Sequence, residues 1–377
     1  MRIAIITDVL GEENNGTTIT TKRLIENMKK KGHEVFVVSP SKIDEPGYYT
    51  LKRRNFYVFN KYVEKNGVVL AVPDKKILHE VISKVDVVHI LLPFKTGIAA
   101  IKIAKQLGKP VTTAFHSQAE NVTSHFGLKN FKPANDFVYR RFLNKFYKHT
   151  NFVHCPSPFI AGEIKKHGYN MDLRVISNGV TPIYKKMEVE KPEHLKDKFV
   201  ILFVGRLSKE KRHDLLIDAV KHSKYSDKIQ IVFAGHGPLK EKIMHQGQSL
   251  PNQPIIGFYP KEELVKVINY SDLYVHPSDI EIEAISCLEA ITCGRVPVIS
   301  DSEKSATNAF ALSDKNLFQA GNPKSLAEKI DYFIDNPDEI QKFEQEYSNY
   351  ATRFQIEACM DEMEQMFMDA IASKKAN

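Results

Sequence analysis

The sequence is short of most features that would place it quickly. It has four cysteines, Cys155, Cys287, Cys293 and Cys359, and no CxxC pair. This excludes a zinc ribbon and a disulfide-stapled scaffold, and fits buried thiols in a reducing compartment. No apolar run approaches the ~18–20 residues of a membrane span. The opening MRIAIITDVL has one basic residue, a short apolar run before Asp8 and no small-residue cleavage site. It reads as a first β-strand and not as a signal peptide. There is no low-complexity segment. Two nucleotide-binding motifs are missing as well. The GxGxxG fingerprint is absent, and Gly11-x4-Gly16 has P-loop glycine spacing but Thr17 where lysine is required.

Acidic residues are scarce in the first half. Residues 1–180 hold 28 Lys and Arg against 15 Asp and Glu, a net of +13, while the remainder holds 25 against 31, a net of −6. Such a split suggests that the first half faces a polyanion or an anionic membrane, although ordinary surface charge also produces it. At 377 residues the chain is too long for most single cores, so two domains are expected. A hydrophobic share of 42% and a charged share of 26% are those of a soluble globular protein.

Short apolar runs alternate with helical patterns. RIAIITD (2–8), a helix over 17–31 ending at Gly32, and HEVFVV form a βαβ unit. Strands are then expected at 68–72, 86–92, 110–115, 152–157 and 173–177. A charged segment, 183–198, reads as a linker or surface stretch, after which strands recur at 198–205, 229–235, 273–278 and 296–300. An amphipathic helix over 351–371 closes the chain. The pattern predicts an α/β protein of two tandem doubly wound, Rossmann-like domains.

Candidate chemistry sits where strands end. After the first strand, Gly16 lets backbone approach a phosphate, and Thr17 and Thr18 add hydroxyls. In VGRLSKEKRHDLLIDAV, Arg206 and Lys211 pair a planar fork with a point charge, as a diphosphate requires, though a solvated basic loop looks the same. FAGHGPLKEKI holds a tight turn, with Gly235 and Gly237 allowing close backbone approach and His236 at its tip. In DIEIEAISCLEAITCG, Glu289 is the only charge from Ala284 to Gly294. A helix apolar on nearly every face is buried, so this carboxylate needs a partner: a cation, backbone donors or ligand hydroxyls. Glu281 lies eight residues earlier, off the end of a strand, where doubly wound sheets bind ligands. A salt bridge within the domain is the alternative. Asp279 and Glu283 are as well explained by a solvated face.

Glu281-x7-Glu289 followed by Ala-x-x-x-Gly, with GRLSKEK and NGV (178–180), resembles the retaining family 4 glycosyltransferases of GT-B fold, including bacterial glycolipid synthases. The resemblance spans nearly the whole chain. It implies an acceptor domain over 1–181, a nucleotide-sugar domain over 182–350 facing it across a cleft, and a helix over 351–377 crossing toward the first domain. By the same resemblance Glu281 contacts sugar hydroxyls, and the backbone at Ala284 and Ile285 approaches the sugar and β-phosphate. Glu289 accepts from the ribose, and Arg206 and Lys211 neutralise the diphosphate in place of a metal. Gly16 offers an amide, the segment IIGFYP cradles the base near Phe258, and His116 bonds near the transferred sugar. No cofactor beyond the donor, a UDP-sugar by default, is implied. The sequence departs from the family at Ile282-Glu283-Ala284, where Gly-Phe-Gly is frequent, and at Arg212, where glycine is common.

The acceptor is less explicit. Segments 52–65 and 129–148 mix Lys and Arg with Phe and Tyr. On a helical wheel Val138, Tyr139, Phe142, Leu143 and Phe146 share one arc, with Arg140, Arg141, Lys145 and Lys148 opposite. This is the pattern of a helix lying on an anionic membrane, or of one whose apolar arc packs inward. With the +13 charge of the first half, it leads us to expect a peripheral enzyme on the cytoplasmic face of the membrane. Its acceptor would be a lipid such as diacylglycerol or ceramide, glycosylated in α-configuration with glucose or galactose. Rivals are transfer to a soluble or polysaccharide acceptor, a sugar-nucleotide epimerase of similar architecture, and a non-catalytic binder. No nucleic-acid motif is present.

Overall fold

The first strand, β1 (Arg2–Ile6), has Ile3, Ala4, Ile5 and Ile6 fully buried. A parallel strand covered by helices on both faces has no polar side, which is why it reads as a continuous apolar run. Each buried isoleucine contributes about 1.5–3 kcal/mol. This is a computed structural model, and it describes all residues except 11–15, 56–69, 125–126, 129, 151 and 376–377. Helix Gly16–Lys30 follows β1 and stops before Gly32, whose φ of +80° favours glycine. Then β2 (Glu34–Ser39) pairs parallel to β1, Arg2 facing Glu34 and Ile6 facing Val38.

The chain divides into two units, Met1–Asn178 with Glu357–Asn377, and Gly179–Ile356. These limits differ by a few residues from 1–181, 182–350 and 351–377. In the first unit β3 (Tyr48–Thr50), β4 (Val87–Ile90), β5 (Val111–Ala114), β6 (Phe152–Cys155) and β7 (Asp172–Val175) complete a parallel sheet of order β3-β2-β1-β4-β5-β6-β7. In the second, β8 (Phe199–Val204), β9 (Ile229–Ala234), β10 (Ile255–Gly257), β11 (Leu273–His276), β12 (Pro297–Ser300) and β13 (Leu317–Phe318) run in the order β10-β9-β8-β11-β12-β13. Every pairing is parallel.

Three expectations are corrected. The strand expected at 68–72 falls partly outside the described residues. Its described end joins no sheet, and Ala71 makes only an isolated antiparallel bridge with Arg53. The sheet edge is taken instead by β3, brought close by Gly47, where a Cβ would stand 2.9 Å from the Val35 carbonyl oxygen. Second, of the two readings of 183–198 the surface stretch holds and the free linker does not. The Met187 N–H donates to Asn269 at 2.8 Å, Lys191 pairs with Asp272 at 2.5 Å, and Leu195 is buried. Third, the last helix is Ile356–Lys375 and does not begin at 351. Within the first unit Lys31 and His33 hold Glu364 at 2.8 and 2.6 Å, and Arg174 holds Asp369 at 2.8 Å.

Helix Lys132–Lys145 resolves the two readings of its wheel. Tyr139, Phe142 and Phe146 are buried, and Tyr139 donates to Glu120 at 2.9 Å, so the arc singled out in the sequence packs inward. The exposed apolar groups are others, Leu128, Phe131 and Phe137, the last 65% exposed. Arg140 and Arg141 are exposed one turn beyond Phe137. Most of segment 52–65 lies outside the described residues. Among those described, no helix is long and apolar enough to cross a membrane.

Candidate active site

In the second unit the strand order reverses between β8 and β11, which lie side by side. At such a switch point the loops leaving the two carboxyl ends diverge and open a crevice. The loop after β8 carries Arg206 and Lys211, and the loop after β11 carries Glu281 and Ala284. The turn after β9 carries Gly235, His236 and Gly237.

The glycines of that turn pack closely against the neighbouring loop. A Cβ on Gly235 would stand 1.9 Å from the Gly205 carbonyl oxygen, and one on Gly237 2.5 Å from that of Leu207. Their close approach is therefore to the loop after β8. The Gly235 N–H is also committed, donating to Gly257 at 2.7 Å. His236 and Phe258 stand together at the strand ends, ring centroids 5.2 Å apart and edge to face. Phe258 is 65% exposed, a phenyl face held in solvent.

Both departures from the family pattern have one physical form. Among the described residues, Arg212 (φ +52°) and Ala284 (φ +61°) are the only non-glycine residues at positive φ. A left-handed conformation costs a side-chain-bearing residue about 1–2 kcal/mol, which explains why glycine suits these positions. Arg212 is pinned there by Asp214 and Asp279, each at 3.2 Å. Asp279 also donates its N–H to the Glu210 carbonyl at 2.8 Å. It is thus a brace between the two loops and not part of a solvated face. Ala284 turns the chain into helix Ile285–Thr292, whose first N–H groups have no acceptor within the helix. Gly294, at φ +77°, ends that helix.

Lys211 and Glu281 form an ion pair. His276 Nε2 lies 2.9 Å from the same oxygen, Oε1. Burial pushes the Glu281 carboxyl up, but the Lys211 charge and the His276 hydrogen bond outweigh it and bring the group down to about 2. Oε2 has no hydrogen-bond partner among the described residues. Arg206 is half-buried, and burial lowers its pKa against the opposing charge of Glu210. A guanidinium still keeps its proton there. Glu289 is 6% exposed, as an acid inside an apolar helix should be. Its charge adds to burial in pushing the Cys293 thiol up to about 12. Glu283 is 4% exposed, which excludes a solvated role.

The other predicted residues belong to the first unit, also at carboxyl ends of strands. Gly16 begins the helix after β1, and a Cβ there would meet nothing within 4 Å. Thr17 is half-buried and its carbonyl accepts from Thr21 at 2.6 Å. His116 follows β5, its ring 5.6 Å from that of His154. Burial, then His154, pulls its pKa down to about 3, so the imidazole is neutral. The sequence reading passed over Asp8, where Oδ1 accepts from Ala71 N–H at 3.1 Å and Thr96 at 2.8 Å. Burial raises that carboxyl to about 6. It also passed over His276, whose only signal was a polar residue closing an apolar strand five positions before an acid.

Two family models divide the chain between them. Glycosyltransferase Family 4 matches residues 14–182, and Glycosyl transferases group 1 matches 185–354. An alpha-monoglucosyldiacylglycerol synthase of Streptococcus pneumoniae is 24% identical over 84% of this chain and 74% of its own length. A GDP-mannose-dependent alpha-mannosyltransferase of Corynebacterium glutamicum is 26% identical over 79% and 72%. Among solved structures, Anabaena Alr3699/HepE in complex with UDP and glucose superposes with a TM-score of 0.74 at 16% identity, over 97% of this chain and 99% of that one. With a model on each side of residues 183–184 and two parallel-sheet units ordered as that fold requires, the chain belongs to the family 4 glycosyltransferases of GT-B fold.

Proposed function

We propose that the protein is a retaining hexosyltransferase, moving glucose or galactose from a uridine diphosphate sugar to a membrane lipid such as diacylglycerol or ceramide, with α-configuration. The observation that carries this reading is the cluster of Lys211, Glu281 and His276 at the switch point, with Arg206 on the same loop as Lys211. One carboxylate oxygen is left open to accept sugar hydroxyls beside cations that suit a diphosphate. Cleaving the sugar–phosphate bond leaves charge on the diphosphate, and fixed cations stabilise it without reorganising. Arg206 and Lys211 fill that role. The acceptor hydroxyl attacks from the face the diphosphate leaves, and a diphosphate oxygen takes its proton, so no protein nucleophile is required. The exposed Phe258 stacks with the base, Glu289 takes the ribose, and the reaction calls for no resident cofactor.

The lipid acceptor is supported by the relative named as a diacylglycerol glycolipid synthase. It is supported further by Phe131 and Phe137, exposed beside Lys132, Arg140 and Arg141 on the basic first unit. Aromatic groups among cations suit the headgroup region of an anionic bilayer, which supports the reading of a peripheral enzyme on the cytoplasmic face. The test incubates the protein with UDP-glucose, UDP-galactose and GDP-mannose against vesicles of diacylglycerol, ceramide or a sterol, reading products by mass and anomeric coupling. An α-hexosyl lipid is expected. Transfer only to soluble sugars removes the lipid assignment, and interconversion of sugar nucleotides without acceptor removes the transferase assignment.

A further inference from the structure

Glu281 sits on a loop and has three rotatable bonds, so something must fix which of its oxygens faces a ligand. His276 is the last residue of β11 and is fully buried. Its ring is stacked near those of Phe203 and Tyr274, each with centroids 5.9 Å away. Nε2 reaches Glu281 Oε1 at 2.9 Å, and Nδ1 lies 3.1 Å from the Tyr274 hydroxyl, which is 3.2 Å from Ser286 Oγ. Tyr274 can give its proton to only one neighbour. That neighbour is Ser286 Oγ, and the tyrosine oxygen lies against Nδ1 as well, so it braces the ring edge opposite the one whose Nε2–H is committed to the carboxylate.

From this chain we propose that His276 is a positioning residue for transfer. It holds Oε1 together with Lys211, so that Oε2 alone, with both lone pairs available, meets neighbouring hydroxyls of the donor sugar. The inference rests on the reading of Glu281 as the sugar contact and adds what orients it. Ser286 stands in the first turn of helix Ile285–Thr292, which also carries Glu289. The relay therefore ties the carboxylate at the sugar end to the helix bearing the one assigned to the ribose. It sets the distance between the two ends that the donor must match.

The test compares His276→Leu, which removes the donor, with His276→Gln, whose amide N–H can take the place of Nε2–H, and with Tyr274→Phe. UDP affinity should stay within about twofold of wild type in all three, because UDP has no hexose to meet Glu281. For UDP-glucose, kcat/KM should fall about 10- to 100-fold in His276→Leu, the size of a lost hydrogen bond to a charged group. It should recover to within about fivefold in His276→Gln and fall only a few-fold in Tyr274→Phe. Equal losses in the glutamine and leucine variants, or wild-type turnover in the leucine variant, overturn the inference. Where His276→Leu does not fold, a glutamine variant impaired more than about tenfold overturns it as well. A wild-type protein that uses none of UDP-glucose, UDP-galactose and GDP-mannose overturns the functional reading itself. A wild type that transfers normally, matched by the leucine variant, overturns only the role of His276.

Discussion

The Lys211 ammonium and the Glu281 carboxylate, 70 residues apart, meet on one oxygen at the crevice between β8 and β11. The pair couples the cation assigned to the diphosphate with the acid assigned to the sugar. Lys211→Ala should therefore remove both the charge on the leaving group and half of what holds Glu281. Turnover should drop by about 10²–10³, the scale for loss of a preorganised electrostatic group, with the circular dichroism spectrum unchanged. Turnover close to wild type would contradict the assignment.

Two carboxyls should give opposite dependences on pH. Glu281 is lowered from 4.5 to about 2, so its stabilising pair is complete above about pH 4.5 and is lost as the pH falls toward 2. Asp8 is raised from 3.8 to about 6, so the folded state is favoured below pH 3.8 and loses that advantage as the pH rises through 6. Urea unfolding should find Asp8→Asn more stable than wild type at pH 8, by up to roughly 3 kcal/mol, with the difference vanishing near pH 4. Glu281→Gln should be the less stable protein at pH 7 and converge with wild type near pH 2. Parallel profiles for the two variants would refute the environments assigned.

Glycines at two strand ends should respond differently to the same change. Gly235→Ala drives a methyl into a carbonyl oxygen 1.9 Å away and should cost about 2 kcal/mol or more. Gly16→Ala meets open space and, at a helical position, should leave the melting temperature unchanged or slightly raised. A fall in transfer by Gly16→Ala without loss of stability would then report a ligand that approaches the backbone there. A fully active and stable Gly235→Ala would overturn the packing described.

Phe258 offers a readout of the nucleotide alone. Its ring is 65% exposed, so Phe258→Ala should leave stability within about 0.5 kcal/mol. UDP affinity should weaken about tenfold if the base stacks there, as base–aromatic stacking is worth about 1–3 kcal/mol. Calorimetric titration measures both quantities, and unchanged UDP binding would move the base elsewhere.

For the membrane, flotation with vesicles containing phosphatidylglycerol should carry wild-type protein upward at low salt. Phe131→Ser with Phe137→Ser, and separately Arg140→Glu with Arg141→Glu, should each leave most of it at the bottom. Flotation that ignores both salt and substitutions would place the membrane contact, if any, on another surface.

Strands such as β1 and β8 were readable because a strand covered on both faces is apolar without interruption. Edge strands β3, β10 and β13, of two or three residues, carry too few side chains for any period to emerge. The apolar helix around Glu289 was equally plain, since a run apolar on nearly every face is buried whatever its one acid pairs with. What could not be read was partnership. The meeting of Lys211 with Glu281 depends on β8 and β11 being neighbours, which follows from strand order and not from local sequence. The same holds for Tyr139 and Phe142, where a helical wheel shows an apolar arc but not which way it faces.

The turn after β9 has a final consequence. Leu207 donates to the His236 carbonyl at 3.0 Å, Gly205 to that of Ala234 at 3.0 Å, and Gly235 to that of Gly257 at 2.7 Å. Three successive loops are thereby stitched backbone to backbone, and Arg206, His236 and Phe258 move as one body. The nucleotide proposed to bind there would meet a mould already cast. It should associate in a single kinetic phase, with a heat-capacity change no larger than its own buried surface explains and little entropy lost to ordering the protein.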